Sequence, residues 1–152
     1  IAGHEIIGKV VAKGSEVIKF NIGDRVGIGC QVSSCQKCEE CTNGYDQLCP
    51  IKTFAYNDVW KDVNGNVTGY RAHGGYADRI RAQAEFTFHI PKEISSAEAA
   101  PLLCAGVTTF TPLKHHKIGP GKKVAVSGIG GLGHLGIQWA SKLGAEVTAI
   151  SH

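Results

Sequence analysis

The chain has 152 residues, 43% hydrophobic and 19% charged, the make-up of an ordinary globular protein with one domain or two small ones. Its net charge is only +3, with acids and bases intermixed, which argues against a nucleic-acid partner or a membrane surface. No apolar run approaches the roughly 20 residues that a bilayer span needs, and neither an internal repeat nor a low-complexity segment is visible.

The first half reads as short strands broken by turns. IIGKVVA, residues 6–12, is β-branched and apolar and stops at Gly14-Ser15. FNIGDRVGIG predicts a turn from Asn21 to Asp24 and a strand from Arg25. Asn64-Gly65 is a hairpin signal, and YADRIRA after Gly74-Gly75 is a further strand candidate. Together these predict a small barrel or sandwich with a cysteine-rich lobe inserted. The pattern then changes. Ser95 and Glu98 form an S-x-x-E capping box that opens a helix. LLCAGVTTFTPLKHH, residues 102–116, is helix-like and apolar on most sides, which predicts burial, with Pro112 kinking or dividing it. KVAVSG predicts a buried strand, GLGHLGIQWASKLG a helix and AEVTAIS a second strand, which is a βαβ unit. Leu132, Leu135, Gly136, Trp139 and Leu143 fall on one face of that helix. The chain lacks methionine, position 1 included, and opens and closes inside strand-like runs, so further residues are expected at both ends.

CQKCEECTNGYDQLC places Cys35, Cys38, Cys41 and Cys49 within 15 residues. A disulfide framework is one reading, but most of the chain has the look of a cytosolic α/β protein. An iron–sulfur site is another, although the bacterial ferredoxin run puts its fourth cysteine after three residues and not seven. The third is a structural zinc site, in which four thiolates close a tetrahedron and leave no position open. The intervening residues are too polar to form a core, so the metal would supply the folding energy of the lobe. Lys37 and Lys52 could offset the negative charge of such a centre.

SGIGGLG spaces Gly128, Gly130 and Gly133 as G-x-G-x-x-G between a predicted strand and a predicted helix, the setting of a dinucleotide-binding turn. Gly128 permits the turn, Gly130 admits the pyrophosphate, and Gly133 allows close packing of helix on strand, so cofactor contacts are expected over Gly128, Gly130, Gly131, Leu132 and Gly133. NAD sites usually place an acid near the end of the second strand; here that position reads Ile150-Ser151, and Glu146 is at the wrong end. Ser151 would admit a 2′-phosphate, which predicts NADP over NAD.

GHEIIGKV at 3–10, GDRVGIG at 23–29, the cysteine lobe, PLLCAGVTTFTPLK at 101–114 and GIGGLGHLGI at 128–137 resemble zinc-dependent alcohol dehydrogenases of the medium-chain dehydrogenase/reductase superfamily, and most nearly the cinnamyl-alcohol-dehydrogenase-like branch. The resemblance implies a GroES-like, β-rich catalytic domain over residues 1–103 with a zinc lobe at 30–52. It also implies the start of an α/β Rossmann domain over 104–152. It maps His4 and Cys104 onto ligands of a second, catalytic zinc and Glu5 onto a carboxylate that can join that metal; the remaining cysteine ligand falls upstream of GHE. Thr108, four residues after Cys104, would lie on the same helical face and reach the nicotinamide. The implied activity is hydride transfer between NADPH and an aldehyde or primary alcohol in the cytoplasm, by a homo-oligomer at full length, with the 152-residue piece alone inactive. An NAD-dependent polyol dehydrogenase and a non-enzymatic zinc or iron–sulfur module are the alternatives. Cys30 is expected to be a buried thiol and not a ligand. His134 is expected to pack its helix, and Tyr56 and Trp60 to pack the lobe in preference to edging a substrate pocket.

Overall fold

The structure, a computed structural model, describes residues 2–62 and 64–151, and the chain divides into two compact units, Ile1–Leu103 and Cys104–His152. Among the described residues of the first unit the short apolar runs become seven strands: β1 (Ile6–Lys9), β2 (Arg25–Ile28), β3 (Gln31–Ser33), β4 (Thr53–Phe54), β5 (Tyr56–Lys61), β6 (Val67–His73) and β7 (Thr87–His89). They pair antiparallel as a three-stranded sheet, β1-β2-β7, and two hairpins, β3-β4 and β5-β6. The turn at Asn21–Asp24 forms as expected: the Asn21 N–H donates to Asp24 Oδ2 at 2.8 Å. The register then runs from Lys9 opposite Arg25 to Ile6 opposite Ile28. The first strand is shorter than the 6–12 run, although Val10 still donates to the Asp24 carbonyl at 3.0 Å.

The Asn64-Gly65 signal marks a real hairpin, and its loop is five residues long. Asp62 accepts from the N–H groups of Asn64 and Asn66 at 2.8 and 2.9 Å and closes the turn. The strand expected from YADRIRA does not form; 76–82 is irregular chain. Its start is anchored across the unit: Gly75 and Tyr76 donate their N–H groups to the carbonyls of Gly3 and Ala2. Ile80 and Ala82 still reach the core of the unit, where they pack with Ile6 and Trp60 around the buried Ile28, Val32 and Ala55. Trp60 therefore packs against this strand core and not, as expected, against the cysteine lobe.

Arg25 ties this unit to its last helix. The guanidinium donates to the Pro91 and Ile94 carbonyls at 2.8 Å each and to Ser96 Oγ at 3.1 Å. Between β3 and β4, inside the cysteine lobe, lies the short helix α1 (Glu39–Thr42), and after β7 comes α2 (Ser96–Pro101). The capping box of α2 is complete, with Ser95 Oγ accepting from the Glu98 N–H and the Glu98 carboxylate accepting from the Ser95 N–H at 3.0 Å.

The helical stretch that follows breaks earlier than Pro112. Leu102–Gly106 is a turn of π-helix, and α3 (Val107–His115) continues past Pro112 without being divided by it. Pro112 removes only the bond to the Thr108 carbonyl, and Thr108 is exposed, so water can serve that oxygen. Nor is α3 buried: Val107 and Phe110 are 53% and 37% exposed. The second unit then forms its βαβ: β8 (Lys123–Ser127), α4 (Gly131–Lys142) and β9 (Glu146–Ile150), with the strands parallel and Ser127 opposite Ile150. β8 alternates half-buried with exposed residues, so the expected full burial is not found. On α4 the apolar face holds at Leu135, Gly136 and Trp139, but Leu132 is 51% exposed. Trp139 meets Phe110 edge-on, with ring centroids 5.5 Å apart, and joins α4 to α3. Among the described residues no helix is long and apolar enough to cross a membrane.

Candidate functional site

The cysteine lobe spans the gap between β3 and β4 and has little apolar content to hold it. Tyr45 and Leu48 point outward, 55% and 61% exposed, and no residue of α1 is buried. What converges is sulfur. Cys35, Cys38, Cys41 and Cys49 bring all four Sγ atoms within 4.8 Å of one another, and no disulfide joins any of the six cysteines. Sγ of Cys41 lies 3.9 Å from that of Cys35 and 3.5 Å from that of Cys38. Four thiolates at about 2.3 Å from one ion define a tetrahedron with edges of about 3.8 Å; a disulfide would need about 2.05 Å. The spacing therefore fits a tetrathiolate metal centre, and the cluster could hold a zinc ion.

The backbone supports the same charge. Cys38 donates its N–H to Cys35 Sγ at 3.2 Å, and Cys35 donates its own to Cys49 Sγ at 3.4 Å. The Lys37 N–H, above all, draws the Cys35 thiol down to about 6, against the opposing effect of burial and with help from the Cys38 N–H. Cys38 is pushed up to about 12, because the pull of the Cys41 N–H is outweighed by desolvation and by its thiol donating to Cys35, Cys41 and Glu40. Desolvation also raises Cys41. The shifts thus favour the negative charge on Cys35 and oppose it on Cys38 and Cys41. Lys52 sets its ammonium on the Cys49 carbonyl at 3.3 Å, beside the cluster, while Lys37 acts through its backbone.

His4 stands at a second place in the same unit. Its loop is held by the Gly75 N–H on the Gly3 carbonyl at 2.8 Å and the Tyr76 N–H on the Ala2 carbonyl at 3.1 Å. A side chain at Gly75 would run into Ile6, so this approach requires glycine. The imidazole stacks on Tyr56, with centroids 5.5 Å apart and planes at 27°. His4, Glu5, Tyr56 and Tyr76 line a cavity of about 260 Å³, and Glu5 is exposed. Tyr56 thus borders an open space as well as packing.

Cys30 departs from the expected burial. It is half-buried, and its Sγ lies within 4.8 Å of a His4 ring nitrogen. Its carbonyl accepts from the Ala55 N–H at 2.7 Å, one residue before the tyrosine that carries His4. The only hint in the sequence was its place after Gly29 at a strand end. A Cβ on Gly29 would come to 2.6 Å from the Leu103 carbonyl, so the chain just before Cys104 packs against the residue just before Cys30. Cys104 itself lies in the π-helical turn. The four-residue spacing of Cys104 and Thr108 therefore runs from the π turn into α3, where Thr108 is the second residue and is exposed.

In the second unit the glycine turn takes the shape its spacing predicts. Gly128 has φ +84° and donates its N–H to the Ile150 carbonyl at 2.8 Å. A Cβ on Gly133 would overlap the Gly128 carbonyl, whereas Gly130 and Gly131 face open space. Gly130 caps α4 without a side-chain acceptor, so the first N–H groups of the helix, including those of Leu132 and Gly133, are left to an outside partner. His134 is exposed and sets Nδ1 3.1 Å from the Gly130 carbonyl, so it does not pack the helix as expected. Ser151 follows β9 and is exposed, and Glu146 at the start of the strand pairs with Lys123 at 3.4 Å, away from the glycine turn.

Comparison with known proteins agrees with these features. Residues 1–92 match the family model of the alcohol dehydrogenase GroES-like domain. The chain is 50% identical to a probable formaldehyde dehydrogenase of Bacillus subtilis, over 99% of this chain and 42% of that protein. It is 46% identical to an NADP-dependent alcohol dehydrogenase of Mycolicibacterium smegmatis, again over 99% and 42%. Among solved structures it superposes on a Helicobacter pylori cinnamyl alcohol dehydrogenase complexed with NADP(H) with a TM-score of 0.87 and 38% identity, covering 96% of this chain and 41% of that one. The chain thus spans about 42% of the length of the curated relatives it matches. By the match across its first 92 residues, this chain belongs to the alcohol dehydrogenase family marked by the GroES-like domain.

Proposed function

We propose that this chain forms part of a zinc-dependent oxidoreductase that moves hydride between NADPH and an aldehyde or primary alcohol. The observation that carries the reading is the separation of its sulfur into two groups. Four thiols close on one another in the lobe, while a fifth stands beside His4. A closed set of four suits a structural ion, and a histidine with fewer thiols suits an ion that keeps a position open. In this reading Cys35, Cys38, Cys41 and Cys49 hold the structural zinc, and His4 and Cys104 hold the catalytic one, with Glu5 close enough in sequence to exchange with a ligand. When bound, the catalytic zinc supplies Lewis acidity to a carbonyl or alcohol oxygen.

The chain's own residues do the positioning. Tyr56 fixes the His4 ring by stacking, and the Gly75 and Tyr76 N–H groups fix its backbone. The cavity beside His4, walled by Tyr56 and Tyr76, receives the substrate carbon chain. Gly128, Gly130, Gly131, Leu132 and Gly133 offer α4's unpaired N–H groups to the pyrophosphate. Ser151 stands where an acid would repel a 2′-phosphate, which favours NADP, and the NADP-dependent relative and the NADP(H)-bound neighbour support that choice. Thr108 is assigned to the nicotinamide side. The protein works in the cytoplasm as a homo-oligomer. The test is NADPH oxidation with an aldehyde by a polypeptide carrying this chain at the full length of those relatives. Activity that a chelator abolishes is expected, with no turnover by the 152 residues alone. A preference for NADH, or activity indifferent to chelation, overturns the reading.

A further inference from the structure

Residues 79–81, in the irregular chain that replaces the expected strand, wall a second cavity of the first unit, one that shares no lining residue with the cavity at His4. Its volume is about 80 Å³. The floor is apolar: Val32, Ala55 and Ala72 are buried, and Trp60 and Ile80 pack against the core to which the first two belong. The rim is cationic. Arg71 comes from β6, where it stands opposite Val59. Arg79 and Arg81 flank Ile80, the residue that anchors their segment to the core. Arg81 sets its guanidinium over the Tyr70 ring, 5.7 Å from the centroid. His73 adds a ring N–H donor in either neutral tautomer.

Among the described residues no acid lines this cavity, and none of the three arginines forms an ion pair, not even Arg79 with its sequence neighbour Asp78. Three like charges at one small opening raise a positive potential that an incoming anion offsets. Guanidinium groups present planar forks that match phosphate oxygens two at a time, which an ammonium does not. The space amounts to a few water volumes, so it has room for one phosphate group and none for a nucleoside. We propose that Arg71, Arg79 and Arg81 form a binding site for a single phosphate group, whether free phosphate or the terminal group of an organic monophosphate. The site lies wholly within the first unit and does not depend on the hydride-transfer reading.

Isothermal titration calorimetry tests this on a polypeptide carrying this chain at the full length of its relatives. NADPH is kept in excess, so that cofactor phosphate sites are filled, and ionic strength is held constant. Inorganic phosphate and phenyl phosphate are the probes. One equivalent of probe should bind per chain. Arg71→Gln and Arg79→Gln should each weaken binding at least ~10-fold, through the loss of charge-assisted hydrogen bonds. Lys92→Gln, which removes one exposed charge elsewhere in the same unit, should leave the affinity unchanged. All three variants should keep the parent melting temperature in phosphate-free buffer, since these residues have no ion pair to lose. Tighter binding of phenyl phosphate assigns the site to an organic monophosphate, and tighter binding of inorganic phosphate assigns it to the free ion; both sustain the proposal. Failure of both probes to bind overturns it. So does an affinity that the arginine variants leave unchanged, or one that Lys92→Gln lowers as much as they do.

Discussion

The cysteine lobe and the glycine turn are both short loops that would serve a ligand, yet they are held in opposite ways. The turn is set by steric fit within the protein: Gly128 takes a left-handed φ of +84°, and Gly133 leaves no room for a methyl group. The lobe has no such fit. Its large apolar residues face water, and its centre is four sulfurs that repel one another once ionised. One loop is shaped by packing alone, and the other gathers four thiols that could hold a metal ion. The comparison teaches that a dense ligand motif and a dense glycine motif make different demands on the rest of the chain.

The largest expected effect comes from breaking the lobe. Cys49→Ser removes the one fully buried sulfur of the set. It should release one metal ion per chain, and with it much of the roughly 10–16 kcal/mol that a structural zinc contributes. Metal analysis with limited proteolysis checks this; cleavage should concentrate between Cys35 and Cys49, and an unchanged metal content would equate the lobe with an ordinary loop. Breaking the turn costs less. Gly133→Ala drives a methyl group into the Gly128 carbonyl and should destabilise the second unit by about 1–3 kcal/mol. Gly130→Ala meets nothing within 4 Å, so it should leave thermal stability unchanged while weakening NADPH binding, as read by fluorescence titration. Equal losses of stability in the two variants would contradict the steric account.

Smaller effects sharpen the frame around both loops. Ser95→Ala removes half of the capping box of α2 and should cost about 1 kcal/mol in a denaturant melt. For Asp58, burial works against ionisation, but the Phe54 and Val59 N–H groups and then Lys61 outweigh it and hold the carboxyl below its ordinary value. A depressed carboxylate contributes stability above its unfolded pKa of about 3.9 and loses it as pH falls through the lower folded value. Wild-type stability should therefore decline below about pH 4, and Asp58→Asn should flatten that limb by less than about 1 kcal/mol, the Lys61 pair being near the surface.

Much of this was legible in the sequence where local chemistry decides the outcome. The Asn21–Asp24 turn, the Ser95–Glu98 box, the hairpin at Asn64-Gly65 and the strand–turn–helix at Gly128 each carry their own instructions. What was not legible depends on distant partners. YADRIRA has strand composition, but the Gly75 and Tyr76 N–H groups at its head are spent on Gly3 and Ala2, and no ladder forms. LLCAG reads as helix, and its π turn cannot be told from α-helix by composition. The closeness of Cys30 to His4 could not be read locally, because the two stand 26 positions apart.

The central claim is that the chain holds two ions at separate places, one in the lobe and one at His4. Zinc counted by native mass spectrometry tests it most directly. Two ions are expected on a polypeptide carrying the unmodified chain at the full length of its relatives, one on its Cys49→Ser variant and one on its His4→Ala variant. Two ions retained by His4→Ala, or a single ion on the unmodified chain, would contradict the account.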